Sequence, residues 1–271
     1  MAKGFNDKII VSIDVGTTKI CVLVAQILDN NHFEVIGVGK SPSHGLKKGV
    51  VVDIGKTIHS IKAAVREAEL MTGISISAAS VGISGGHIKS INSQGVVPVK
   101  HAEIYQSDVH NVLAAARAIP IPEGMQILHV LPQFFVIDSH TRIHNPVGMH
   151  GIRLEVQAHI IMGAIASVQN LIKCCELAGV KVTDIILEQL ASAHAVLSED
   201  ERNLGVCMLD IGGGTSDFAV YQHNSIVHTM VLPIAGNHFT NDLAVGLRTT
   251  IQEAERIKKE HVACQFFHAG K

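Results

Sequence analysis

The sequence predicts an α/β protein built from two related units, each with three strands and a helix around a mixed sheet. The first observation is a strand, a tight turn and a second strand at residues 13–24, where Ile-Asp-Val-Gly-Thr-Thr precedes an apolar run. The second is the same arrangement at residues 209–221, where Leu-Asp-Ile-Gly-Gly-Gly-Thr-Ser-Asp leads into Phe-Ala-Val-Tyr. The third is that a further strand and a helix follow each pair. Two copies with Asp at the same strand position indicate a duplicated βββα unit instead of two coincidental hairpins.

Both turns have the composition of a phosphate-binding loop. Glycine lets the backbone approach an anion closely, and successive backbone N–H groups form a concave anion site. An Asp at the strand end cannot hold phosphate directly, but it can hold hydrated Mg²⁺, which keeps several waters. For the first copy taken alone, an ordinary hairpin turn is the alternative. The candidates in the two loops are Asp14, Gly16, Thr17, Thr18, Asp210, Gly212, Gly213, Gly214 and Thr215.

The other elements of the two units follow from periodicity. Apolar residues at helical spacing predict a helix from about residue 53 to 71, and Gly73 is a suitable stop signal. A shorter helix is predicted for residues 237–247 in the second unit. The remaining predicted strands are residues 32–38 and 79–83 in the first unit and residues 225–232 in the second.

The middle of the chain, from about residue 84 to 162, is organised differently and predicts an inserted α+β subdomain. The predicted elements are a strand at 96–99, a helix capped by Ser107 and Asp108 that reaches Ala118, and strands at 127–130, 134–137 and 153–161. Asn145, Pro146 and Gly148 favour a turn inside this segment.

After this segment the chain returns to the first unit. Residues 167–178 predict a helix that Gly179 ends, and residues 182–187 predict a strand. Glu188 then opens a helix rich in Ala and Ser, and small residues of this kind let two helices approach closely. The sequence therefore predicts a hinge-like connection between the two units at this helix.

Two units with loops of these types resemble the ATPase superfamily of actin, the heat-shock chaperones and the sugar kinases. Within it, the chain is similar to the FtsA family of bacterial cell-division proteins over essentially its whole length. The most family-like stretches are residues 36–42, 67–71, 145–151, 204–217 and 233–237. The resemblance implies an actin-like ATPase fold whose insertion corresponds to the subdomain called 1C in that family.

The resemblance also implies a domain organisation. The expected boundaries are residues 1–84 and 163–203 for a 1A-like first lobe, 85–162 for the 1C-like insertion, 204–248 for a 2A-like second lobe and 249–271 for the start of a 2B-like subdomain. Against the family pattern, a chain ending at Lys271 is expected to have an incomplete second lobe. It is also expected to lack the membrane-anchoring amphipathic helix and most of the subdomain that receives FtsZ. We therefore expect a carboxy-terminally truncated member with a weakened nucleotide site.

For the site, the resemblance implies MgATP between two lobes, with Asp14 and Asp210 acting through the waters of the metal. Glu188 is the expected water-orienting acid of phosphoryl transfer, and a helix-start Glu favoured by the macrodipole is the alternative. Glu255 and Lys258, one helical turn apart, are expected to reach ribose and adenine, and a solvated charged helix is the alternative. Two further nucleotide-binding candidates are Lys19, whose side chain alternates with that of Thr18, and Gly236.

The implied function is that of a cell-division protein with ATP as cofactor and slow turnover. In the family such a protein associates with itself through the insertion, anchors the FtsZ ring to the inner membrane and recruits later division proteins. One alternative is a small-molecule kinase of the same superfamily, which the first loop fits and the loop at residues 212–215 argues against. Another is a PilM-like scaffold of pilus assembly, against which residues 145–151 weigh.

Composition agrees with an intracellular protein. Apolar residues make up 47% of the 271 residues, and the net charge of −2 gives no argument for a nucleic-acid partner. No apolar run approaches the roughly 20 residues that span a bilayer. A cytoplasmic location is expected, peripheral on the inner membrane for full-length family members.

The cysteines and histidines are expected to have no metal-binding role. Small core residues in a reducing compartment are predicted at Cys21, Cys174, Cys175, Cys207 and Cys264. Among 17 histidines, His140 and His144 come nearest to a paired-ligand spacing, but no further ligand completes a set nearby.

Overall fold

The computed structural model describes residues 9–28, 32–139 and 142–262. Three main sheets, one two-stranded ribbon and seven helices form this part of the chain. In chain order the elements are β1 (Ile9–Val15), β2 (Lys19–Ile27), β3 (Phe33–Pro42), β4 (Leu46–Lys47), β5 (Val50–Val51), α1 (Ile54–Thr72), β6 (Ala78–Ile83), β7 (Lys89–Pro98), α2 (Gln106–Arg117), β8 (Met125–Ile137), β9 (Arg153–Ala164), α3 (Ile165–Leu177), β10 (Lys181–Leu187), α4 (Glu188–Val196), α5 (Glu199–Leu204), β11 (Val206–Ile211), β12 (Ser216–Gln222), β13 (Ser225–Leu232), α6 (Gly236–Gly246) and α7 (Ile251–His261).

The first sheet has the strand order β10-β6-β1-β2-β3. Its antiparallel run β1-β2-β3 continues through α1 into β6, which is parallel to β1, and β10 is parallel to β6. The predicted helix at residues 53–71 is confirmed, because Asp53 Oδ1 accepts a hydrogen bond from Lys56 N at 3.0 Å and Gly73 ends α1 with φ 70°. The buried face of α1 includes Ile61 and Ala68, so this helix closes one side of the first sheet.

The last sheet repeats this pattern with three antiparallel strands in the order β11-β12-β13. The strand predicted at residues 225–232 has the bounds of β13, and the predicted helix is α6, which begins one residue earlier. Thr250 caps α7, its hydroxyl accepting from the backbone N of Glu253. The duplicated βββα unit is therefore confirmed in both halves.

The middle sheet, in the order β7-β9-β8, is antiparallel and packs against α2 around a core of its own. Ile104, Val112 and Leu154 are fully buried in that core. Three sequence predictions are corrected here. The strand predicted at residues 96–99 is the ten-residue β7. The two strands predicted at 127–130 and 134–137 are one strand, β8, whose register shifts twice.

The third correction concerns the start of α2. The helix begins at Gln106, so neither Ser107 nor Asp108 is its cap. Asp108 instead lies in the first turn, where its carboxylate accepts a hydrogen bond from Tyr105 N at 3.0 Å. A carboxylate in the first turn is favourable next to unpaired backbone N–H groups, which explains why the sequence pattern places the cap two to three residues after the observed cap, Tyr105.

Two short elements were missing from the sequence prediction. The ribbon β4-β5 connects β3 to α1. Helix α5 begins after Ser198, whose hydroxyl accepts from Glu201 N while the carboxylate of Glu201 accepts from Ser198 N at 2.8 Å. This reciprocal pair is a capping box, which Ser and Glu at this spacing signal in the sequence.

The turn predicted around Asn145 is confirmed. Asn145 Oδ1 accepts from Val147 N at 3.2 Å, and Gly148 has φ 83°. The expectation of a core role for the cysteines holds for Cys174 and Cys175, which are buried, but not for Cys207. Cys207 is exposed because alternate side chains of β11 face outward. Cys264 and His140 lie outside the described residues.

Across the described ranges, none of the helices combines the length and apolar character that crossing a bilayer requires.

His159 on β9 is a buried polar side chain of the middle sheet, only 1% exposed. Its Nδ1 lies 2.7 Å from Asn92 Oδ1, and its Nε2 lies 2.9 Å from Thr229 Oγ1 on β13. Burial lowers the pKa of His159 from 6.5 to about 4, with a smaller contribution from His228. The native structure therefore holds this imidazole neutral.

This pKa predicts that part of the stability depends on pH. Because the native pKa lies below the unfolded one, the unfolded chain binds the proton more tightly. Stability is therefore complete above about pH 6.5 and decreases by up to about 3 kcal/mol as the pH falls towards 4. Urea unfolding of the chain and of His159→Gln should show their difference in unfolding free energy shrinking over this range. A difference that stays constant between pH 7 and 4 would contradict the assignment.

Candidate functional site

Both predicted phosphate loops line one cavity of ≈ 530 Å³ between the first and last sheets. This volume lies in the range of small-molecule sites. The sequence-predicted residues in its lining are Asp14, Gly16, Thr17, Thr18, Lys19, Glu188, Asp210, Gly212, Gly213, Gly214 and Thr215. The structure thus brings together two loops that are almost 200 positions apart in the sequence.

The two loops have the same construction. In the first, Gly16 N donates to the carbonyl of Lys19 at 3.1 Å; in the second, Gly212 N donates to the carbonyl of Thr215 at 2.9 Å. Each bond closes a four-residue turn at the end of a hairpin, directly after the strand that carries Asp14 or Asp210. The two turns therefore present their backbones to the cavity in equivalent ways.

The loops also touch each other. A Cβ atom on Gly213 would lie 2.1 Å from Thr18 Cγ2, and one on Gly214 would lie 2.6 Å from Thr17 Oγ1. Thr17 is held in place, since its Oγ1 accepts a hydrogen bond from Gly49 N at 3.1 Å. Glycine is thus required in the second loop by the close approach of the first.

Carboxylates from four elements converge on the cavity. Burial raises the pKa of Asp14, an effect that Lys19 opposes and Asp210 reinforces. Burial, followed by the charges of Asp14, Asp217 and Asp210, raises the pKa of Glu188 well above its ordinary value. Burial also raises the pKa of Asp217, against the hydrogen bonds from Ser84 and Thr215. These carboxyl groups therefore ionise less readily than exposed ones, and a cation among them would favour the ionised forms.

Glu188 is the first residue of α4 and is half-buried where it lines the cavity. A Cβ on Gly82 of β6 would lie 3.1 Å from Glu188 Cγ, so this glycine leaves room for the side chain. The glutamate therefore faces the cavity rather than bulk solvent.

Sequence reasoning missed two serines that hold carboxylates of the cavity and one further carboxylate, Asp217. Ser192 Oγ on α4 donates to Asp210 Oδ2 at 2.7 Å. Ser84, the residue directly after β6, donates its Oγ hydrogen to Asp217 Oδ1 at 2.5 Å, and both residues are buried. Asp217, which pairs with Asp210 across β11 and β12, stood inside the second loop sequence and could have been predicted from that hairpin register.

The structure does not place Gly236, Glu255 and Lys258 in the lining of the cavity. They form an adjoining cluster, because Lys258 Nζ lies 2.6 Å from Glu255 Oε2 and donates to the carbonyl of Gly236 at 3.2 Å. Gly236 N in turn donates to the carbonyl of Gly212 at 3.1 Å. Bonds from Lys258 and then Thr240 lower the pKa of Glu255 to about 2. This ion pair fastens α7 to α6 behind the second loop.

Two family models match the sequence. The model "SHS2 domain inserted in FTSA" matches residues 85–162, and the model "Cell division protein FtsA" matches residues 207–266. Together they cover just over half of the chain.

Solved structures show the same fold at low sequence identity. A chain of the PilM-PilN type IV pilus biogenesis complex is 16% identical with a TM-score of 0.68, over 93% of this chain and 69% of that one. MreB5 of Spiroplasma citri bound to ADP is 15% identical with a TM-score of 0.50, over 97% of this chain and 65% of that one. The fold is therefore the actin-like ATPase fold.

Curated relatives are much closer in sequence. Cell division protein FtsA of Pseudomonas aeruginosa is 48% identical over 258 residues, and that of Escherichia coli is 40% identical over 261 residues. These alignments cover 95% and 96% of this chain but 62% of each relative, so the chain spans about three fifths of their length. The chain belongs to the FtsA family of cell division proteins.

Proposed function

We propose that this chain binds MgATP in the cavity between the two loops and acts in bacterial cell division. The observation that carries the nucleotide site is the pair of identically closed glycine turns that meet at one cavity lined by carboxylates. Family membership supports the division role. Identity of 48% to a division protein, against 16% to a pilus protein, favours that role over a pilus scaffold.

The cavity fits both parts of the ligand. Backbone N–H groups of residues 17–18 and 213–215 are suited to phosphate oxygens, because the glycines let the anion approach closely. Asp14 and Asp210 supply hard oxygen ligands of the kind that Mg²⁺ prefers. Within the described residues, no group of three or more His, Cys, Asp or Glu side chains lies close enough to hold a metal alone. A bound Mg²⁺ would therefore keep waters and use phosphate oxygens.

Glu188 is proposed to orient the attacking water of a slow phosphoryl transfer. Because its pKa is raised, Glu188 holds its proton more tightly than an exposed glutamate, and a protonated carboxyl cannot accept a proton. The charge of Mg²⁺ would favour the ionised carboxylate in the filled site. Glu188 would then be a better base once the cofactor has bound, which suits slow turnover.

The wider role of this chain follows the family in our proposal. We propose self-association through residues 85–162, the segment that matches the inserted SHS2 domain. We further propose FtsZ and other division proteins as partners, and a site of action on the cytoplasmic face of the inner membrane. Glu255 and Lys258 are proposed to support the ribose and adenine from behind the second loop.

Asp210→Asn tests the proposed metal site. Saturation of the unaltered chain at a hundredfold excess of MgATP over its dissociation constant is expected to add about 2.7 kcal/mol of stability. Loss of the Asp210 charge should weaken MgATP binding about tenfold to a hundredfold, as for residues that act through metal-bound water. Calorimetric titration with ATP in EDTA should remove the difference between the variant and the unaltered chain.

Asp200→Asn is the matched control, since Asp200 is exposed on α5 and does not line the cavity. It should bind MgATP like the unaltered chain. Equal MgATP affinity in both variants would rule out the role of Asp210, and no binding by the unaltered chain would rule out the proposed site.

A further inference from the structure

The middle sheet is joined to the last sheet by a row of hydrogen bonds that we name the polar seam. It consists of Ser90, Asn92, Gln133 and His159 on one side and β13 on the other. Ser90 Oγ donates to the carbonyl of Thr229 at 3.0 Å, and Asn92 Nδ2 donates to that of Val227 at 3.2 Å. Gln133 Nε2 donates to the carbonyl of Ile226 at 2.9 Å. Because β13 is the edge strand of its sheet, these side chains satisfy backbone groups that a further strand would otherwise pair.

The seam has one defined arrangement of protons. Since Asn92 Nδ2 donates to Val227, the acceptor that faces His159 is Asn92 Oδ1, and His159 Nδ1 must carry the hydrogen. His159 Nε2 is then free to accept from the hydroxyl of Thr229. The bonds of Asn92 Nδ2 and His159 Nε2 to β13 form only while β13 and the middle sheet keep their relative position. At Gln133, His159 and Thr229 the seam is buried, and there a half-satisfied bond is costly, so these residues favour one arrangement.

From the seam, β13 leads directly to the second phosphate loop. Its last residue, Leu232, pairs with Ser216 at the end of that loop. Beyond β13, Asn237 N donates to the carbonyl of Gly213 at 2.8 Å. At the entrance to the middle sheet, Ser84 Oγ donates to Asp217 beside the same loop. The middle sheet is thus bound to the last sheet at the seam and again at the cavity.

Covalently, however, the middle sheet belongs to the other side of the cavity. It is entered from β6 and left through β9 into α3 and β10, and both β6 and β10 are strands of the first sheet. A movement that separates the first and last sheets must therefore either break the seam or carry the middle sheet along. The middle sheet bridges the two walls between which the loops meet.

We propose that the polar seam couples the cavity to the middle sheet, so that a nucleotide closing the two loops also fixes the middle sheet against β13. The proposal rests on the proposed nucleotide site and adds its regulation. Coupling of this kind is reciprocal, so anything that holds the middle sheet in its seam-bound position must also tighten nucleotide binding. The surface that residues 85–162 offer to a partner would therefore differ between the nucleotide-bound and the nucleotide-free chain.

Two serines of β7 provide a matched test. Ser90 donates across the seam, whereas Ser93 Oγ donates to the carbonyl of Ala116 within the middle unit at 2.8 Å. The double variant Ser90→Ala and Thr229→Val removes two hydroxyls of the seam, and Ser93→Ala removes one of the same kind elsewhere. MgATP affinity by calorimetry should fall about fivefold or more in the seam variant, the lower end of typical coupling, and should be unchanged in Ser93→Ala.

Amide hydrogen exchange of the same proteins gives the second measurement. In the unaltered chain, MgATP should slow exchange in β13 and in the facing strands of the middle sheet, and the seam variant should confine the protection to the cavity. Unchanged affinity together with unchanged protection in the seam variant would overturn the coupling while leaving the nucleotide site intact. No MgATP binding by the unaltered chain would overturn both. Thermal unfolding without nucleotide identifies a variant that has lost its fold, and in that case Asn92→Ala replaces it.

Discussion

Alanine in place of Gly214 is expected to weaken MgATP binding about tenfold to a hundredfold, the equivalent of 1–3 kcal/mol of overpacking strain. The added Cβ would lie 2.6 Å from Thr17 Oγ1, 2.9 Å from Thr17 Cγ2 and 3.0 Å from Thr17 Cβ. Thr17 cannot simply rotate away, because its Oγ1 is tied to the backbone N of Gly49. The two loops must therefore separate, and the phosphate contacts of one loop move relative to those of the other. Calorimetric titration with MgATP measures the effect.

The control for this change is Gly246→Ala at the end of α6. A Cβ at Gly246 meets no atom within 4 Å and the residue does not have a positive φ, so neither affinity nor stability should decrease. If Gly214→Ala binds MgATP as tightly as Gly246→Ala, close contact of the loops is not needed for the ligand. The melting temperature of the nucleotide-free variants separates a damaged site from a damaged fold.

The loops themselves could be predicted from the sequence because their information is local. Asp14 and Asp210 each end an apolar strand, and the glycines and threonines that follow allow few structures other than tight turns. The duplication then indicated that both copies serve one ligand. Contacts between sequence-distant residues were not predictable in this way. Ser84 and Asp217 are 133 positions apart, and nothing in either neighbourhood indicates that the two side chains meet.

The middle sheet was only partly predicted, for a related reason. Ser90 and Asn92 give the first half of β7 the composition of a loop, although both face the polar seam. A strand whose inner face is polar loses the alternation on which sequence patterns depend. Pro132 similarly divides β8 into two apparent strands. The structure accommodates it at a register shift, where a proline costs no regular ladder bond.

For Glu255 and Lys258, the sequence correctly predicted that both lie on one face of a helix, but it did not decide whether they contact a ligand. Their position on one face of a helix is confirmed, and the ion pair is formed. Whether such a pair reaches a ligand depends on where α7 packs, and helical spacing carries no information about that. Here Lys258 connects α7 to α6, because its Nζ donates to the carbonyl of Gly236 and to the hydroxyl of Thr240.

Gly39→Ala is expected to destabilise the chain by about 3 kcal/mol, near the upper end for overpacking in a core. Gly39 lies in β3 where α1 crosses the first sheet, and its added Cβ would lie 2.0 Å from the carbonyl oxygen of Ala64 and 2.6 Å from Ala68 N. Both are backbone atoms of α1, so no rotamer change relieves the contact and the whole helix must move outward. At about 2–4 °C per kcal/mol for a chain of this size, the melting temperature should fall by roughly 6–12 °C.

Gly55→Ala, in the first turn of the same helix, separates this steric effect from the general effect of a methyl group. Its Cβ would approach only Asp53 Oδ1, at 3.6 Å, which is an ordinary contact, and alanine favours the helix more than glycine does. We expect Gly55→Ala to melt at or above the temperature of the unaltered chain. Equal melting temperatures for Gly39→Ala and Gly55→Ala would mean that α1 does not pack as closely on β3 as described. Because α1 also connects β3 to β6, the strand that runs parallel to β1 and leads to Ser84, a shift of this helix should in addition weaken MgATP binding. That loss of affinity would be absent if the helix moved without disturbing the first sheet.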